Sequence, residues 1–466
     1  MKRYHLIVIG AGSGGLVAAE FASKLGAKVA LVEAQKDLGG ECLHAGCVPS
    51  KALIHAARTA WAAGHSQALG TEANPRVDFS QVERHITGAI QTITENHDND
   101  SYYQSLGVDV IHGKAAFIDE QTIEVNGQSL VAKRFIVATG SKPLVPDIPG
   151  LTDGPYLTNE TVFDLDSLPE SLLVVGGGPI GCELGQAFAM LGSKVTILQA
   201  ASRLLPHDEP EAADILARSL KAMGVNVLLD AQIDRVTYRG STVSVNLQGG
   251  QNLRAYRLLV ATGRAANIPM GTENAQVQTT RRGIKVNERL RTTNKRIYAI
   301  GDCNGGMQFT HVAGQQAVVA VQNALMGLHK KFDGNNIPWA TFTTPEIAHL
   351  GATKAELNAN KTSYKKVTKD FSSIDKAIAE GEKGYIELLV ADDGNILGAT
   401  VAGANAAEIL GQIVTAKHWN NFKGIMQAYP TYGLGIREAA ADVNLNTFLN
   451  SPIGKITGRY VQWRGQ

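Results

Sequence analysis

Cysteine is scarce in this chain, with four residues in 466. That number cannot form a disulfide scaffold, and since only Cys42 and Cys47 lie close in sequence, the pattern fits a reducing compartment, the cytoplasm. An excess of one charge is lacking too: 44 basic side chains face 43 acidic ones, for a formal net charge of +1. No basic face for nucleic acid or polybasic membrane patch is expected. Long apolar runs are also missing. The stretch Leu6 to Ile9 runs straight into glycines, short of the ~7–15 apolar residues of a secretory signal. No later stretch reaches the ~18–20 that a membrane span needs. By length the chain holds roughly three domains.

What is present first is a repeat. Residues 5–33 recur at 171–199 with an offset of 166. Ile9-Gly10-Ala11-Gly12-Ser13-Gly14-Gly15 aligns with Val175-Gly176-Gly177-Gly178-Pro179-Ile180-Gly181, and Leu25-Gly26 with Leu191-Gly192. Each copy reads as strand, glycine turn, helix and second strand, a βαβ unit. A lone G-x-G-x-x-G is weak, because glycine clusters often only make turns. Two copies in this context predict two dinucleotide sites, with glycines for the tight turn, the pyrophosphate approach and helix packing. The second strand of copy one ends in Glu33, a carboxylate suited to a ribose 2′-OH, which points to FAD. Copy two has Gln199 there, followed by Ser202 and Arg203, and lacks the acid that would repel a 2′-phosphate. NADPH is preferred over NADH on this reading. Arg203 reads equally as a solvated arginine, and Gln199 is compatible with both nucleotides.

The second feature is Gly39-Gly40-Glu41-Cys42-Leu43-His44-Ala45-Gly46-Cys47-Val48-Pro49-Ser50-Lys51. Pro49 and the apolar-periodic stretch after it predict a helix starting just after Cys47. A thiol at that positive helix end has a lowered pKa, and Lys51, four residues on, brings a cation to the same face. Half a zinc site is the rival reading, but Cys182 and Cys303 are isolated and no His/Cys cluster supplies the other ligands, so no metal site is expected. Two merely buried cysteines are the other rival.

The segment Gly39 to Leu53 closely resembles the active-site stretch of the class I pyridine nucleotide-disulfide oxidoreductases, the family of dihydrolipoyl dehydrogenase, glutathione reductase and mercuric reductase. The resemblance covers essentially the whole chain. Val137-Ala138-Thr139-Gly140-Ser141 and Val260-Ala261-Thr262-Gly263-Arg264 resemble the family's two ATG turns, and Ala299-Ile300-Gly301-Asp302 its second FAD motif. The resemblance implies an α/β fold with two Rossmann-like domains, for FAD (1–148 and 265–335) and NAD(P) (149–264), plus an α+β dimerisation domain (336–466). It implies that Cys47 faces the flavin, Cys42 meets substrate, Lys51 sits near the flavin with Glu183 as its acidic partner, and Asp302 binds the ribityl chain. Glu183 reads otherwise as a solvated first-turn residue. His311, in Phe309-Thr310-His311, is expected to contact flavin or backbone rather than move protons. A homodimer follows, with the C-terminal stretch entering the partner's active site.

From Asn335 the texture changes to strands, with a hairpin turn at Asp392-Asp393-Gly394-Asn395 and a helix from about Ala406. Here the chain departs from dithiol-oxidising members. The family's His-Pro-Thr segment stands as Tyr429-Pro430-Thr431, and Leu434 replaces the glutamate that orients the histidine. A phenol with a pKa near ~10 is a poor base at neutral pH. Glu438 is expected on the far side of the next helix. Tyr429, Met307 to His311 and Ser373 to Ala377 resemble the mercuric reductase-like branch. That branch carries a C-terminal cysteine pair, whereas this chain ends Gly458-Arg459-Tyr460-Val461-Gln462-Trp463-Arg464-Gly465-Gln466, and no N-terminal metal-binding domain is expected. Electrons are thus expected to run from NAD(P)H through FAD and the Cys42–Cys47 pair to a small-molecule or small-protein acceptor: a metal ion, a quinone-like compound or an unusual disulfide. The alternatives are a dihydrolipoyl dehydrogenase with a non-standard acid–base group, and a redox-sensing flavoprotein subunit.

Overall fold

The computed structural model describes residues 2–422 and 424–464, with the side chains of 442–448 and 450 outside the described set. Gly465 and Gln466, at the end of the cysteine-free tail, fall outside it as well. The chain groups into two compact units, Met1–Ser202 with Gly224–Asp333, and Arg203–Met223 with Gly334–Gln466.

The first unit is built on two sheets with parallel central strands, the first of them extended by the antiparallel strands Thr122–Val125 and Ala115–Phe117. Strand Lys2–Ile9 pairs in parallel with Val29–Glu33 on one side and Gln128–Val137 on the other. Asp109–His112 extends the sheet beyond Val29–Glu33, and Ile297–Ala299 also pairs with Gln128–Val137. Leu6, Ile7 and Val8 are fully buried because both faces of this sheet are covered, which is why the strand is apolar without alternation. Helix Ser13–Lys24 lies on one face and buries Gly14, Leu16, Ala18, Ala19 and Ala22. Those small residues let it approach helix Thr310–Val321 so closely that a Cβ on Gly14 would be 3.2 Å from Ala313 Cβ. The second parallel sheet runs Asn226–Leu228, Lys194–Leu198, Ser171–Val175, Arg257–Val260. Its helix, Pro179–Leu191, starts on a proline in the first turn and stops at Gly192, whose φ of +115° suits glycine.

The second unit centres on a five-stranded antiparallel sheet, Pro338–Thr341, Glu346–Gly351, Ile396–Gly403, Tyr385–Val390, Lys365–Asp370. The expected hairpin joins Tyr385–Val390 to Ile396–Gly403, and helix Ala406–Ala416 follows. Ile386, Leu388, Val401 and Ile409 bury here, each worth about 1.5–3 kcal/mol. Segment 203–223, inside the stretch expected as the NAD(P) domain, groups with this unit. Trp339 Nε1 donates to Asp208 at 2.9 Å, Ser219 Oγ to the Thr344 carbonyl at 2.6 Å, and the Lys354 ammonium reaches Glu209, Glu211 and Glu387.

Candidate active site

The two glycine turns of the first unit repeat in detail. Gly12 and Gly178 cap their helices at φ/ψ of −80/−174° and −78/−176°. A Cβ at Gly15 would lie 1.8 Å from the Gly10 carbonyl oxygen, and one at Gly181 1.9 Å from that of Gly176. At the strand ends, Glu33 Oε2 accepts from the Ala11 amide at 2.6 Å and Gln199 Oε1 from the Gly177 amide at 3.0 Å. Each turn leaves open space where a pyrophosphate would sit: a Cβ on Gly178 meets nothing within 4 Å, and on Gly12 only Gly40 Cα at 3.9 Å. Helix N-termini and glycine amides around such space suit a dinucleotide, so the residues fit FAD and NAD(P). Arg203 lies in the second unit and donates to the Pro206 carbonyl at 2.6 Å.

The ATG turns mirror one another as well. Thr139 Oγ1 donates to the Asn267 carbonyl and Thr262 Oγ1 to that of Leu144, both at 2.6 Å. Gly140 and Gly263 take positive φ of 65° and 127°. The chain crosses there twice, pairing Ser141–Pro143 with Arg264–Ala266 antiparallel. Asp302, in the short turn Gly301–Asn304, accepts from the Ser141 hydroxyl.

The redox segment is fastened to the first fingerprint. The Gly39 amide donates to the Ala11 carbonyl at 2.9 Å. A Cβ on Gly40 would come within 2.6 Å of Gly12 Cα. Cys42 lies in the short helix Gly40–His44, and Cys47 opens helix Cys47–Gly64 as the sequence predicts. All four cysteines are free thiols, and Cys182 and Cys303 are buried. Cys42 and Cys47 are hydrogen-bonded to one another, so the expected thiolate on Cys47 becomes a matter of two coupled ionisations. Cys47 donates to Cys42, and that hydrogen bond pushes the Cys47 pKa up despite the helix end and Lys51. Cys42 moves the other way. The bond from Cys47 is the largest influence, burial opposes it, Thr310 and Ser13 add to it, and the thiol is brought down to about 6. The two sulfurs hold one proton between them, so their ionisation belongs to the pair.

Lys51 Nζ donates to Glu183 Oε2 at 2.8 Å and to Ser50 Oγ at 3.3 Å. Glu183 is 7% exposed, so it is no solvated first-turn residue. Thr310 Oγ1 sits 3.5 Å from Cys47 Sγ. Thr310 and Ser13 were not singled out in the sequence, although both stand inside quoted motifs. His311 is exposed and stacks on Phe309, with ring centroids 5.4 Å apart.

Tyr429 belongs to the second unit and is 69% exposed. Its hydroxyl donates to Asp375 Oδ2 at 2.8 Å, and this bond pushes the phenol further up from its ordinary value. Asp375 is the carboxylate that the sequence reading missed, for it lies far from Tyr429 along the chain. Leu434 is buried, and Glu438 pairs with Lys369 at 3.2 Å. Among the described residues, no group of three or more His, Cys, Asp or Glu could hold a metal ion, and no helix is long and apolar enough to cross a membrane.

Comparison with known proteins agrees with this geometry. Residues 4–317 match the family Pyridine nucleotide-disulphide oxidoreductase, and residues 337–439 its dimerisation domain. A mercuric reductase of Staphylococcus aureus is 34% identical over 415 residues, 87% of this chain and 76% of that protein. A dihydrolipoyl dehydrogenase of Bacillus subtilis (strain 168) is 32% identical over 467 residues, 94% of this chain and 97% of that protein. Among solved structures, the Cu(II) complex of the HOCl-induced flavoprotein disulfide reductase RclA from Escherichia coli superposes with a TM-score of 0.85 at 27% identity, over 95% of this chain and 100% of that one. Paired nucleotide turns, a thiol pair and a matching dimerisation domain thus have one reading: the chain belongs to the class I pyridine nucleotide-disulfide oxidoreductases, enzymes that use FAD and NAD(P)H, with an α/β fold of FAD, NAD(P) and dimerisation domains.

Proposed function

We propose that the Cys42–Cys47 dithiol delivers its electrons to a thiophilic, redox-active metal ion of the Cu(II) class, with NADPH as the donor. The observation that carries this reading is the Tyr429 hydroxyl, which gives its hydrogen bond to Asp375 and so offers no base at neutral pH. Disulfide substrates need protons moved at the interchange thiol, whereas a metal ion takes up electrons alone. Bound FAD supplies the two-electron relay between nicotinamide and disulfide. The chain's own residues hold and orient. The Gly10–Gly15 turn and Asp302 would hold FAD, and the Gly176–Gly181 turn NADPH, with a neutral Gln199 that does not repel a 2′-phosphate. Lys51, aligned by Glu183, places a cation beside Cys47. Cys42, the thiol with the lowered pKa, meets the metal ion as a thiolate. Two Cu(II) ions each take one electron, the S–S bond re-forms, and the one proton the two sulfurs share leaves; a hydride equivalent from NADPH restores the thiol–thiolate pair. The mercuric reductase relatives and the Cu(II) bound in the RclA structure support this acceptor class.

We further read the protein as a cytoplasmic homodimer in which the dimerisation domain of one subunit, with Tyr429, completes the thiol site of the other; the family match over 337–439 supports it. The second reading, a dihydrolipoyl dehydrogenase with a non-standard acid–base group, draws on similarity over nearly the full length of both chains. The test is NADPH-dependent turnover with Cu(II), Hg(II), a quinone, lipoamide and glutathione disulfide in parallel. Two Cu(I) formed per NADPH, lost in Cys42→Ser, is the expected result. Lipoamide turnover faster than metal reduction would replace this reading with the second one.

A further inference from the structure

Glu41 immediately precedes Cys42 in the helix Gly40–His44. Both of its carboxylate oxygens accept from Arg264, and Asn159 Nδ2 donates to Oε1 at 2.6 Å. Neither partner stops there. Asn159 also donates to the Ala45 carbonyl at 3.1 Å, so it grips the segment on both sides of Cys42. Arg264, only 9% exposed at its side chain, donates through Nε to Ser141 Oγ at 2.8 Å and through Nη2 to the Ser141 carbonyl at 3.0 Å. Its Nε lies 3.8 Å from Asp302. The residues around Cys42 are thus tied to the paired strands Ser141–Pro143 and Arg264–Ala266, and to the turn that carries Asp302. Two-point pairing of a guanidinium with a carboxylate fixes orientation as well as distance. Thiol–disulfide exchange depends on which sulfur can be approached and from where.

We infer that Glu41 is a positioning residue for Cys42: through Arg264 and Asn159 its carboxylate clamps the redox loop in place, and protonation of that carboxylate loosens the loop. The inference rests on Cys42 and Cys47 being the redox pair. The charged groups facing Glu41 are Arg264, Asp302 and Glu160, and Asn159 adds a neutral donor. Burial pushes the Glu41 carboxyl up, Arg264 pulls it down, Asp302 and Glu160 push it up again, and it comes to about 7. The clamp is therefore charged above neutral pH and neutral below it. A clamped Cys42 keeps the hydrogen bonds from Cys47, Thr310 and Ser13 that hold it as a thiolate. A released one loses part of them.

The test uses the reduced, FAD-loaded enzyme and iodoacetamide, with Cys42 modification followed by peptide mass spectrometry across neutral and mildly acidic pH. In the wild type, reactivity follows two ionisations, that of Cys42 at about 6 and that of Glu41 at about 7. Glu41→Gln, neutral at every pH, is expected to leave a single ionisation, displaced upward, matching the wild type near pH 6 and losing the gain in rate that the wild type shows as Glu41 ionises above about pH 7. Glu41→Asp keeps the charge and should keep the second ionisation. Should Glu41→Gln bind FAD poorly, Asn159→Ala cuts one tie without altering a charge and should raise the Cys42 midpoint by a smaller step. Wild-type profiles in both Glu41→Gln and Asn159→Ala overturn the clamp. Failure of the underlying assignment looks different: Cys42→Ser would then retain NADPH-driven turnover.

Discussion

A single methyl group added at Gly181 is expected to weaken NAD(P)H binding while leaving FAD in place. The new Cβ would stand 1.9 Å from the Gly176 carbonyl oxygen and 3.3 Å from Val174 Cγ1. To reach a tolerable contact the carbonyl must retreat by about 1.3 Å, and well-packed surroundings resist such moves. Gly176 has little room to give. Its amide is held by the Leu198 carbonyl at 2.8 Å, and its α-carbon faces Ala261, whose carbonyl oxygen a Cβ there would meet at 2.3 Å. Overpacking of this kind costs about 1–3 kcal/mol. Expressed as displacement of the turn under the pyrophosphate, that raises the dissociation constant for NAD(P)H about 5- to 150-fold. Gly15→Ala makes the same collision, at 1.8 Å, in the other turn. The assay is flavin content of the purified protein, followed by the NAD(P)H concentration dependence of flavin bleaching. Gly181→Ala should carry wild-type flavin and need far more NAD(P)H; Gly15→Ala should purify depleted of flavin. A Gly181→Ala enzyme that lacks flavin but binds NAD(P)H normally would refute the assignment of the two turns.

Three other outcomes follow from the site and the second unit. Cys42→Ser and Cys47→Ser should each remove the uptake of a second electron pair in anaerobic NADPH titration, and full uptake in either variant would disconnect the thiols from the flavin. Tyr429→His should place an imidazole with a pKa of about 6.5 beside Asp375 and produce lipoamide or glutathione disulfide turnover with an inflection near that pH; unchanged turnover with normal flavin reduction would count against the proton-relay argument. His349 is fully buried, and burial holds its pKa down to about 4. The unfolded chain takes up a proton near 6.5 that the native state refuses, so stability falls as pH drops from about 6.5 to 4, by up to about 3 kcal/mol. Thermal unfolding of the wild type and His349→Gln over that range should converge toward acid pH.

The parts of the molecule legible in the sequence are those fixed by local geometry. Gly10, Gly15, Gly176 and Gly181 show in the sequence because the turns admit no side chain there. The offset of 166 that relates them also relates the bonds from the Ala11 amide to Glu33 and from the Gly177 amide to Gln199. Pairings between distant segments are a different matter. Arg264 meets Glu41, and Tyr429 meets Asp375, through chain crossings that no spacing encodes. The thiols show a third kind of difference. The helix-end argument treated Cys47 alone, while its hydrogen bond with Cys42 couples the ionisations of the two sulfurs. The grouping of 203–223 with the second unit likewise depends on Asp208 and Ser219 finding partners more than a hundred residues away.

The backbone contact between Gly12 and Gly40 has a consequence for engineering and for descent. Where two main chains press together without side chains between them, neither loop can be exchanged, lengthened or repacked without recutting the other. Residues 10–15 and 39–47 have to be exchanged together, and with them the Asn159 and Arg264 that hold Glu41. A chimaera that borrows the thiol loop from a relative should fold only if it takes that relative's glycine turn as well, and substitutions accumulating in one loop during divergence should be answered by substitutions in the other.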